Sequence, residues 1–87
     1  MEYSPTYKKL AKDALEIYNN GAVNPIPLMR IASELMLESK AIGGANIKAP
    51  VYAPVRLILA QLAFLMGNGT GSYELVEKDI AFVESLG

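Results

Sequence analysis

The sequence predicts an all-α fold: one small four-helix domain spanning residues 1–87, two helical hairpins around a central hydrophobic third helix. Three observations predict it. Four segments repeat their apolar residues at helical spacing. Proline and glycine punctuate the chain at the ends of those segments. The longest connection carries Pro50 and Pro54, which argue against a central strand there. Eighty-seven residues make one small domain.

The first helix is read from SPTYKKLAKDALEIYNNG. Ser4 is a good N-cap, and Pro5 suits the first helical position because its missing N–H is not needed there. Asn20 and Gly21 suit the C-terminal end. At about 100° per residue, Tyr7, Leu10, Ala11, Ala14, Leu15, Ile17 and Tyr18 share one side. Lys8, Lys9, Lys12, Asp13, Glu16 and Asn19 share the other.

The second helix is read from NPIPLMRIASELMLESKAIGG. Asn24 is its candidate cap, and Pro27 biases Ile26 away from helix, so its start is set only to within a turn. Leu28, Ile31, Ala32, Leu35, Met36 and Ile42 form the apolar side. Arg30, Glu34, Glu38 and Lys40 sit opposite, with Leu37 among them. Gly43 and Gly44 end the helix.

Residues 45–53 form the longest connection. The third helix is expected to open at Pro54 and close near Gly67, and it is apolar on nearly every side. A glycine-rich loop at 67–72 follows. Ser72 then caps a fourth helix whose apolar side holds Leu75, Val76, Ile80, Phe82, Val83 and Leu86, interrupted by Asp79.

Hydrophobic residues make up 52% of the chain and charged ones 20%. A domain of this size hides only roughly 60% of its unfolded surface. The imbalance points to apolar surface covered by a partner, most simply another copy. A monomer with an apolar-rich surface is the competing reading. Net charge is −1, so there is no electrostatic footprint for nucleic acid and no acidic run.

Cysteine and histidine are both absent. That removes disulfides, thiol nucleophiles, the usual zinc ligands and the commonest general base. The expectation is a protein without enzymatic activity, metal or cofactor. The N-terminal MEYSPTYKK has no apolar core of a signal peptide. The longest apolar run, VRLILAQLAFLM, contains Arg56 and falls short of the ~20 residues that cross a bilayer. A soluble cytoplasmic protein, with no membrane partner, is expected.

Arg56 and Asp79 are the informative pair. Arg56 lies in the first turn of the third helix, where a cation opposes the helix dipole. Asp79 lies on an apolar side, where an unpaired carboxylate is costly. Each has reason to seek the other, within a chain or between chains. The competing reading has Arg56 extending to water and Asp79 at the rim of a narrower apolar stripe. Gln61 lies about 140° round the helix from Arg56. It calls for a loop carbonyl or a symmetry mate.

Tyr52 stands between two prolines, as a lid over the bundle or as an aromatic presented to a partner. MGNGTGSYE lacks the Gly-Lys-Ser/Thr ending and the preceding strand of a phosphate loop. Glu34 and Glu38 lie one turn apart, but on a solvated side with Arg30 beside them.

Two functional expectations follow. The leading one is a homo-oligomeric protein-interaction module: an adaptor, an assembly subunit or an inhibitor of a larger protein. The alternative is a small-molecule-binding protein whose site, near Tyr52, Arg56, Thr70 and Ser72, takes an anionic ligand.

Overall fold

The expected helices form. The computed structural model describes residues 3–21, 24–65, 67 and 73–86, with the backbone alone at 73–76. Helix α1 spans Pro5–Asn20, α2 Pro25–Gly43, α3 Ala53–Leu65 and α4 Tyr73–Ser85. All regular structure among the described residues is helical. No described helix is long and apolar enough to cross a membrane.

The caps follow local chemistry. The Ser4 hydroxyl accepts from the Tyr7 N–H at 3.1 Å, and the Asn24 side chain accepts from the Ile26 N–H at 3.0 Å. Helix α2 therefore starts at Pro25, the earliest position the sequence allowed. Pro27 is tolerated because the first four N–H groups of a helix have no partner inside it. At the other end Gly44 takes φ +79° and donates its N–H to the Lys40 carbonyl at 3.0 Å. A residue with a Cβ is strained in that conformation.

Helix α3 packs against all three other helices, and α1 does the same. These two form the centre, and α2 and α4 flank them. Ala11 and Ala14 on α1 are fully buried, and such small side chains let α1 come close to α3. Tyr7, Leu28, Leu35, Val55 and Ile58 fill one part of the core. Ala11, Leu57 and Val83 fill the part shared with α4. Near the start of α1, Tyr3 stacks on Tyr7 with ring centroids 5.2 Å apart. Tyr3 also meets Phe82 edge-on at 5.8 Å.

Cover over α3 is incomplete. Leu59 and Phe64 are exposed. On α2 the buried stripe runs Leu28, Ala32, Leu35 and Ser39, at spacings of four, three and four. Met36 was expected on the apolar side, but it stands about 100° from Leu35 and is 45% exposed. Leu37 is 72% exposed, among the polar residues as expected.

Candidate functional site

The connection between α2 and α3 is where polar groups gather inside the fold. It begins with an Asx-type turn: the Asn46 side chain accepts from the Lys48 N–H at 3.1 Å. A 3₁₀ turn over Pro50–Tyr52 leads directly into α3. Its bonds run three residues back. The Tyr52 N–H donates to the Ala49 carbonyl at 3.0 Å, and the Ala53 N–H donates to the Pro50 carbonyl. The next donor in this series would be Pro54, which has no N–H.

The Val51 carbonyl therefore lacks its 3₁₀ partner, and two hydroxyls from other helices reach it. Tyr7 of α1 donates at 2.5 Å, and Ser39 of α2 donates at 3.2 Å. Both residues are fully buried. Burial, with Tyr3 close by, pushes the Tyr7 phenol well above its usual value. One missing hydrogen thus ties three segments together at a single oxygen.

Arg56 makes the second knot. Its Nη2 donates to Asp79 Oδ1 at 2.8 Å, and its Nε to Oδ2 at 3.1 Å. Its Nη1 donates to the Ile47 carbonyl at 2.6 Å and to the Ala49 carbonyl at 3.0 Å. The ion pair forms within one chain. In an antiparallel hairpin Arg56 would lie level with Phe82, three residues or about 4.5 Å from Asp79 along the helix. An Arg side chain spans that offset. Asp79 is only 3% exposed, so its carboxylate is nearly stripped of water and is held by the guanidinium instead.

Tyr52 is buried, with its hydroxyl donating to the Gly44 carbonyl at 2.5 Å. Its ring is therefore not presented at the surface. Gln61 is 8% exposed and lies one turn beyond Leu57, toward α1 and α4. Thr70 and Ser72 lie outside the described residues. The structure thus brings Tyr52, Arg56 and Asp79 around one connection, with Gln61 on another side of α3. No buried side-chain polar atom among the described residues lacks a hydrogen-bond partner.

Sequence reasoning placed Tyr7 on the apolar side but gave its hydroxyl no partner, and it passed over Ser39. The signal for Ser39 was its place in the series Leu28, Ala32, Leu35. A hydroxyl on a buried stripe needs an acceptor. The signal for the acceptor was Pro54.

A second feature lies on a solvent-facing side of α2. Ile26 (63% exposed), Met29 (58%), Met36 and Leu37 share that side with Ser33. Their spacings of three, seven, ten and eleven residues from Ile26 make a continuous stripe along the helix. Its centre lies about 120° round the helix from that of the buried stripe, with Met36 at the margin nearer the core. Arg30 and Glu34 line one margin, and both are exposed. Between α1 and α4 there is also an open cleft of about 310 Å³ lined by Lys12, Leu15, Glu16, Asn19, Asn20, Val83 and Glu84. No family model matches the chain, and no curated protein or solved structure matches it significantly.

Proposed function

We propose that the protein is a homo-oligomeric interaction module that acts through its surface and carries out no bond chemistry of its own. One observation carries this reading: α2 is apolar on two sides, and only one of them faces the core. Four large side chains on the solvent side, with Ser33 among them, form a patch of the kind that marks association sites. The small core of an 87-residue chain gives no reason to keep them there. In this reading the setting is the cytoplasm, which cell fractionation checks.

Light scattering after gel filtration tests the proposal across a concentration series. A mass that rises with concentration toward twice the chain mass supports it. A strict monomer at about 1 mM, where even weak association shows, would sink it.

The anionic-ligand alternative gains no support. The cation it needs is already bound to Asp79 and two carbonyls, and the Tyr52 hydroxyl is bound to Gly44.

A further inference from the structure

We infer that two copies pair through the outer side of α2, as antiparallel helices related by a two-fold axis that passes near Ser33. The inference rests on the self-association reading above and names its surface and geometry.

The stripe has a midpoint. Ser33 lies seven residues after Ile26 and seven before Lys40. Its side chain is small, and its hydroxyl turns back to the Met29 carbonyl at 3.0 Å. Two helices can therefore approach closely there without stranding a hydroxyl. An antiparallel pair centred on Ser33 sets Met29 against the partner's Leu37, and Leu37 against the partner's Met29. The flexible Met side chains suit such a contact because they adjust to fill gaps.

The charges fit the same arrangement. Arg30 and Glu34 share one margin of the stripe, one turn apart. Neither is ion-paired within its own chain among the described residues. Antiparallel pairing brings Arg30 of each copy within reach of Glu34 on the other, twice over. A parallel pair would instead set Lys40, which lies near the midline of the stripe, against its own copy. In the antiparallel pair Lys40 lies over the partner's Ile26, with its aliphatic stem on the apolar surface and its ammonium in water.

One helix face buries an area at the low end for specific interfaces, below the ~1,600 Å² of a standard one. The dimer should accordingly dissociate on the order of micromolar or above.

Cysteine cross-linking reads the geometry directly, because the chain has no cysteine of its own. Under mild oxidation Ser33→Cys should form a covalent dimer readily. Ile26→Cys alone should not, since its two copies would lie about 21 Å apart, far beyond the ~7 Å a disulfide spans. A mixture of Ile26→Cys and Lys40→Cys chains should cross-link. Leu37→Glu, at an exposed position, should shift the scattering mass to monomer with unchanged circular dichroism. Arg30→Glu should weaken pairing, and adding Glu34→Arg should restore it. Rapid self-linking of Ile26→Cys would overturn the antiparallel order. A wild-type dimer that survives Leu37→Glu, with Ser33→Cys unlinked, would overturn the face while leaving self-association standing. A wild-type monomer at ~1 mM would overturn both.

Discussion

The α2–α3 connection and the outer side of α2 depart from the usual partition of polar and apolar groups in opposite directions. Around the connection, a carboxylate, a guanidinium and three hydroxyls point inward. On outer α2, four large apolar side chains point outward. The inward polar groups all have partners within the chain, and the outward apolar groups are left about half or more in water. Internal partners tie the first region to stability. Solvent exposure makes the second the surface proposed for association. Substitutions in the first should therefore change folding free energy and leave assembly alone, and those in the second should do the reverse.

The largest effect is expected at the ion pair. Arg56→Met leaves Asp79 buried without a cation, and breaking a buried pair costs about 3–5 kcal/mol. For a domain of this size that lowers the melting temperature by at least ~12 °C, at 4–8 °C per kcal/mol. Asp79→Leu should cost less, because Arg56 retains 20% side-chain exposure and its carbonyl partners. The double variant should lose clearly less than the sum of the two. A coupling of about 2 kcal/mol is expected from urea unfolding. Strict additivity would mean that the pair contributes nothing as a pair.

Gly43 comes next. A Cβ placed there would lie 2.5 Å from Val51 Cγ1, the side chain at the centre of the connection. Gly43→Ala gains ~1 kcal/mol or less in helix propensity. It forces an overpacked contact worth about 1–3 kcal/mol. A net loss of roughly 1 kcal/mol in a denaturant titration is expected. A stabilised variant would show that α2 and Val51 can move apart freely.

Tyr7→Phe removes one of two donors to the Val51 carbonyl and should cost about 1 kcal/mol at neutral pH. Its pH dependence is the sharper measurement. The folded phenol titrates above its unfolded value of about 10. Its contribution is therefore whole below pH ~10 and is lost as pH rises from there toward the folded value. The stability gap between wild type and Tyr7→Phe should narrow above pH ~10. A gap that stays constant up to pH ~12 would leave the phenol without a role in alkaline unfolding.

What the sequence made legible follows a physical line. Helix existence, order and ends were legible because periodicity and caps are local: Ser4, Pro5, Asn24 and Gly44 all act where their chemistry predicts. The partnership of Arg56 and Asp79 was legible as a need, since a carboxylate on an apolar side and a cation at a helix start each require an explanation. That it closes within the chain was not legible, because it turns on a three-residue offset spanned by one side chain. The Tyr7–Val51–Ser39 knot was invisible for a different reason. It joins residues as many as 44 positions apart through a backbone oxygen, and carbonyls leave no mark in side-chain patterns. The outer stripe of α2 was half legible. Leu37 stands out among charges, but Met36 reads as inward because a helix apolar on two sides does not declare where one side ends.

The smallest effect on the isolated fold, and the largest on assembly, is expected from Leu37→Glu. At 72% exposure the side chain contributes little to its own core, so the monomer should change by no more than ~0.5 kcal/mol. Concentration exposes the difference. If outer α2 pairs two chains, wild-type unfolding is coupled to dissociation, and its midpoint rises with protein concentration by mass action. Well above the dissociation constant, each tenfold increase adds about 1.4 kcal/mol per dimer, or roughly half that per chain. That corresponds to about 3–6 °C in a domain this small. Leu37→Glu should unfold at one temperature across the same series, matching wild type at its most dilute. Two flat lines that coincide would show the outer stripe of α2 to be plain exposed surface. Two rising lines would move the association surface to another part of the molecule.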